Sequence, residues 1–154
     1  MNPSIDIAIA DAVVAVLTAQ AAELPDDTIV ERKLLPIYKP RDLETPRIAV
    51  APRLQSREPK SRASTDRQHV IQIAPHWQLT PSETEEQAES FLELMQTIAD
   101  VIEVASRSQL FAGATYLRMT SEPLYDSDLI ASQNVLRGVW TLTFKQLASA
   151  TLPS

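Results

Sequence analysis

Thr80-Pro81-Ser82-Glu83-Thr84-Glu85-Glu86-Gln87, running on without glycine or a further proline to Ile102-Glu103-Val104-Ala105, is the best-marked stretch of the chain. Thr80 is placed to cap a helix, and Pro81 suits the first helical position, where a backbone N–H has no intrahelical partner. Glu83 follows Thr80 at capping-box spacing. Ala88, Phe91, Leu92, Met95, Ile98, Ala99 and Ile102 recur at three- and four-residue steps and form one apolar stripe. A helix over 80–105 is roughly 35–40 Å long, enough to cross a small domain. Seven acids and no bases lie between Ser82 and Ala105. Clustered toward the first turns, they complement the helix dipole and solvate the outer face, without forming a catalytic pattern.

The flanking segments supply something for that stripe to cover. A first helix is expected over 4–22, with Ile5, Ile9, Ala12, Val13, Val16 and Leu17 on one face and Asp6 and Asp11 toward its positive end. Leu24-Pro25-Asp26-Asp27 stops it. Residues 28–38 read as a strand that ends near Pro36, and 39–46 as a connection. Arg47-Ile48-Ala49-Val50-Ala51-Pro52 has a strand pattern, and residues 67–74 form another strand antiparallel to it. Beyond the long helix, 106–113 is a connection, 114–122 a strand and 123–134 a turn-rich insertion. In the last strand, 135–147, Leu136, Gly138, Trp140, Leu142 and Phe144 share a face. Residues 148–154 read as a mobile tail. This order, α-β-β-β-α-β-β, fits a single α+β domain over 1–154: a mostly antiparallel sheet of about five strands, two helices packed on one face.

Composition narrows the chemistry. The 154 residues can bury a core without staples. With no cysteine, disulfides, thiolate nucleophiles and cysteine zinc sites are excluded. Gly113 and Gly138 are the only glycines, too few for a phosphate loop or dinucleotide fingerprint. No apolar run approaches the ~20 residues of a bilayer span, and the lack of a basic residue before the first apolar stretch argues against a secretory signal. His69 and His76 stand seven apart with no carboxylate at metal-ligand spacing, so they read as ordinary strand and loop residues. Asp126 and Asp128 fit turn chemistry, not a calcium loop. No nucleophile elbow or Ser-His-Asp pattern is present. The expectation is a protein without catalytic residues, cofactor or metal.

Charge is segregated along the chain. Residues 1–31 carry six acids and no bases, 32–67 ten bases and four acids, and the remainder four bases and ten acids. Solvated faces explain this most simply. A sharper reading has a basic face meeting an acidic face of a neighbouring subunit, an arrangement that sets orientation and register. Arg53, Arg57, Lys60 and Arg62, in the polar loop or hairpin arm at 53–66, and Glu85, Glu86, Glu89 and Glu93 on the long helix are then the candidate contacts. Phosphate binding by the basic stretch needs only charge, but no aromatic residue lies there to stack on bases.

Two segments carry a family resemblance. Glu122-Pro123-Leu124-Tyr125-Asp126-Ser127-Asp128-Leu129, followed by Val135-Leu136-Arg137-Gly138-Val139-Trp140-Thr141-Leu142-Thr143-Phe144, resembles the C-terminal end of tail terminator and neck proteins of long-tailed bacteriophages. There, a Tyr-Asp turn precedes a final apolar-Thr-apolar-Thr-aromatic strand. Arg32-Lys33-Leu34-Leu35-Pro36-Ile37-Tyr38, Pro46-Arg47-Ile48-Ala49-Val50, the polar excursion and the acidic helix follow the family's order. Trp140 and the length of 53–66 are departures. The resemblance implies a virion protein, assembled in the host cytoplasm. It implies a ring, commonly of six copies, that caps the head-proximal end of the tail tube and faces a head-side connector or adaptor. DNA would pass through its centre without specific binding. A head-closure or adaptor protein is the nearest alternative; a small α+β binding domain or hydrolase is a more distant one.

Overall fold

The computed structural model describes residues 4–35, 37–121 and 134–149. The insertion carrying Tyr125, Asp126 and Asp128, and the tail beyond Ser149, lie outside the described residues. The fold is α+β, and its axis is the 15-residue strand β3 (Ser64–Gln78). On one side β3 pairs antiparallel with β2 (Arg47–Pro59). On the other it pairs with β5 (Val135–Arg137) and β6 (Trp140–Ser149). The outer strands are β1 (Ile29–Arg32), beside β2, and β4 (Thr115–Thr120), beside β6.

The sheet is mostly antiparallel, as expected, and is mixed only because β1 runs parallel to β2, in the register Ile29↔Arg47 to Arg32↔Val50. A hairpin cannot join parallel neighbours; a crossover of a dozen or more residues can, and residues 33–46 provide it. A 3₁₀ turn at Pro40–Leu43 lies within this connection, anchored by buried Leu43. The strand expected over 28–38 is therefore only four residues long.

Two prolines shape the inner ladders. The β2–β3 register shifts between Pro52 and Leu54, just where β2 loses an N–H donor. β3 runs straight through Pro75, which the sequence suggested as its end. Pro75 faces Gly138 and accepts its N–H at 3.2 Å but has none to return. The single strand expected over 135–147 is accordingly divided at Gly138 and Val139. Both pieces keep one alignment along β3, from His76↔Arg137 to Ile73↔Trp140. β6 continues to Ser149, so residues 148 and 149 belong to the sheet.

Helix α1 (Ile5–Ala19) begins at Ser4, whose Oγ accepts the Ile7 N–H at 3.4 Å. Helix α2 (Thr84–Ser106) starts three residues later than the Thr80 cap implied. Pro81 and Ser82 lie in a turn in which the Glu83 N–H reaches Thr80 O at 3.0 Å, and no side chain caps the helix. Gln87 makes the reaching-back contact instead. Its Oε1 accepts the Thr80 N–H at 2.6 Å and its Nε2 donates to Gln78 O at 2.5 Å, tying the end of β3 to the helix. The buried stripe is Phe91, Leu94, Met95, Ile98 and Ile102, with Leu94 taking the place expected of the exposed Leu92.

Strand alternation sends Ile48 and Val50, Ile71 and Ile73, and Leu142 and Phe144 to the helix side. There they join Ile9, Val13 and Leu17 of α1 and the α2 stripe in one core. Each such side chain contributes roughly 1.5–3 kcal/mol by leaving water. Phe111 and Phe144 stack with ring centres 5.1 Å apart, and Trp140 Nε1 donates to Met95 O at 2.8 Å. Phe111 is delivered by a two-residue turn, Ala112 and Gly113 both at positive φ, closed by paired bonds between Phe111 and Ala114.

Candidate functional site

The hydrogen-bonding frame of the sheet extends past the helices. Residues 53–66 are continuations of β2 and β3, joined by a tight turn in which the Lys60 N–H meets Ser64 O at 3.2 Å and the two hydroxyls of Ser61 and Ser64 lie 3.0 Å apart. The end of β6 pairs with the first residues of β3, as far as Ser64↔Ser149 beside the turn, so this arm is three-stranded along β3. Ladder pairing on both sides of β3 explains how a segment without apolar periodicity becomes strand.

The arm carries the four basic candidates, all exposed. Arg53 lies at the register shift, and Arg62 lies in the turn. Arg57 Nε donates to Gln55 Oε1 at 2.6 Å. Lys60 is less available. Its Nζ is 3.7 Å from Asp66 Oδ2, and Lys145 approaches the same oxygen at 3.7 Å. Asp66 is only 7% exposed, and two flanking ammonium groups compensate a carboxylate that burial alone would penalise.

Glu85, Glu86, Glu89 and Glu93 are exposed on the first half of α2. The arm's turn precedes the first residue of β3, and α2 follows the last. The basic and acidic candidates thus stand toward opposite ends of the longest strand, and none of the four bases pairs with any of the four acids among the described contacts.

Two polar clusters lie off this charge axis, one on each face of β3. His69 and His76 are seven residues apart, so strand alternation turns them to opposite sides. On the helix side, His69 is fully buried and its Nδ1 lies 2.7 Å from Asp6 Oδ1 in the first turn of α1. Gln55 Nε2 donates to Asp6 Oδ2 at 2.8 Å. The sequence placed Asp6 at the helix dipole, but not opposite a histidine 63 residues away. The pair fastens α1 to the sheet, with the His69 ring buried and Asp6 partly exposed.

On the other face, His76 donates from Nδ1 to Ala74 O at 2.9 Å while Nε2 accepts from Arg137 Nε at 3.2 Å. Burial, reinforced by the charge of Arg137, lowers the His76 pKa to about 4, so the ring is neutral at pH 7. Tyr38 packs edge-on against it with centroids 4.9 Å apart, and donates to Glu31 Oε1 at 2.6 Å. Burial, and then Glu31, raise the Tyr38 pKa well above the ordinary phenol value. Lys33 Nζ sits 4.0 Å above the Tyr38 ring. These contacts pin the 33–46 crossover at Tyr38. The segment before it stays bare: Leu34, Leu35 and Ile37 are all exposed, Leu35 at 73% and Ile37 at 77%.

A groove of about 530 Å³ opens between the C-terminal halves of the two helices. Val16, Ala19, Val101 and Val104 form its walls, and Glu23 and Asp100 contribute carboxylates. Composition and spacing gave no sign of it, because it arises from how two amphipathic helices diverge. Among the described residues, no three histidine, aspartate or glutamate side chains gather as a metal-binding group.

The arrangement offers interaction surfaces: a basic arm, an acidic helix start, a bare apolar segment and an apolar groove. In comparisons with known proteins, no protein-family model and no curated protein matches the chain.

Proposed function

We propose that this protein is a structural subunit of a ring at the head-to-tail junction of a long-tailed bacteriophage, a tail terminator that caps the tube and meets the neck. The reading starts from the resemblance carried by residues 122–129 and 135–144. The structural observation that supports it most is the placing of the basic arm and the acidic start of α2 toward opposite ends of β3. A ring repeats one heterologous contact, in which one surface of each copy meets a different surface of the next. Opposite charges on well-separated surfaces favour that geometry over a face-to-face dimer and set its register.

The build of the final strand is compatible with this reading. Leu142 and Phe144 fill the core, while Thr141 and Thr143 occupy the other face of β6. The role is architectural rather than catalytic. Among the described residues the Asp6–His69 pair is an arrangement that mimics part of a hydrolase site, and the complete burial of the His69 ring denies it to a substrate.

The discriminating experiment mixes purified protein with tail tubes lacking a cap and, separately, with filled tailless heads. A terminator binds the end of the tube and halts its growth. Binding to heads alone would replace this reading by a head-closure or adaptor role, and binding to neither would remove it.

A further inference from the structure

We infer that the bare apolar segment of one copy, Leu34, Leu35 and Ile37, seats in the α1–α2 groove of the next copy. The inference deepens the assembly reading above by naming its apolar contact, and it rests on that reading. Three exposed large aliphatic side chains within four positions of one connection are costly to leave in water, and neither α1 nor α2 covers them. The groove has the matching character, with aliphatic walls and Val104 62% exposed.

Charge chooses a second copy as the occupant. Lys33 and Lys39 flank the apolar segment, whereas Glu23 and Asp100 line the groove. Docking therefore brings opposite charges together at the margins of an apolar centre, the usual anatomy of a specific interface. The geometry also permits propagation. The groove lies on the helix side of the sheet. The crossover that bears the apolar segment packs Tyr38 against His76 on the other side. One copy can offer its segment while its own groove is filled, as a closed ring requires.

The chain has no cysteine, so single cysteines report the contact without background. Leu35→Cys and Val104→Cys change exposed positions, and circular dichroism of each variant controls for folding. The two single variants are mixed under mild oxidation, and mixed-disulfide formation is compared with a pair made from Leu35→Cys and Ser82→Cys. Docking predicts formation roughly tenfold or more faster for the first pair, from the raised effective concentration of the thiols. Equal rates for both pairs would overturn the docking. If the unsubstituted protein forms rings by native mass spectrometry while the rates are equal, the ring reading survives and only the contact falls. A chain carrying both Leu35→Cys and Val104→Cys separates the remaining cases. A ladder ending in one closed species supports docking within a ring. Crosslinking that stops at two copies supports the docking but contradicts the ring.

Discussion

The helix-covered span of the sheet and the arm beyond it are built from the same two strands on opposite terms. Between His69 and His76, β3 alternates residues fixed on both faces: aliphatic side chains, and Asp6 with His69, under the helices; His76 and Tyr38 on the other side. Between Arg53 and Arg67 the same ladder carries mostly charged and polar side chains, and its exposed bases touch little else. Backbone pairing is shared; side-chain burial is not. The difference teaches that stability resides in the covered span and that the arm contributes little side-chain burial.

Substitutions can break or sharpen this contrast. The largest loss is expected from Phe144→Ala, which empties the contact among Phe111, Tyr116 and α2. It should lower unfolding free energy by about 3–5 kcal/mol in denaturant titration. A loss below about 1 kcal/mol would mean that the covered span is not the seat of stability.

The next effect depends on pH. His76 has its folded pKa lowered to about 4 from the usual 6.5. Folded and unfolded chains are alike above the unfolded value. As pH falls below it, the unfolded chain takes up a proton that the folded chain refuses, so stability is lost between about 6.5 and 4 and levels off below. The loss is on the order of 3 kcal/mol. His76→Gln should remove that slope relative to the parent protein, whatever it does at pH 7. Parallel pH profiles for the two would refute the assignment.

Gln87→Ala should be milder, about 1–3 kcal/mol, because it leaves Thr80 N–H and Gln78 O to find new partners at the strand–helix junction. Hydrogen exchange at Thr80 should rise with it. Least of all should happen to the fold when Arg57 and Arg62 are both reversed to glutamate. Stability should stay within about 0.5 kcal/mol, while assembly weakens in a salt-dependent manner. Lys60 is left in place because it compensates Asp66. Assembly unchanged at low salt would remove the arm's charge from the account.

Elements defined by local pattern were readable in the chain. The stripe from Phe91 to Ile102 announces a helix against a sheet, and Leu142 with Phe144 announces a half-buried strand. What escaped was decided by contacts that apolar periodicity does not encode. The helix start moved because Gln87, rather than Thr80, satisfies the junction. Of the loop or hairpin arm expected over 53–66, the structure has the hairpin, with residues 53–59 made strand by β3 beside them. The parallel β1–β2 pair follows from the route of a connection, which periodicity does not encode. The same holds for the candidate surfaces. The charged residues were visible as a segregated pattern, but the groove and the Asp6–His69 pair exist only once α1 is docked.

The central claim, that separate surfaces of one copy join in a closed head-to-tail ring, is tested most directly by native mass spectrometry of the purified full chain across a concentration series at low salt. The account predicts one discrete closed oligomer, six copies by the resemblance, with larger open polymers absent. A monomer throughout the series, or a species that stops at two copies, would contradict it.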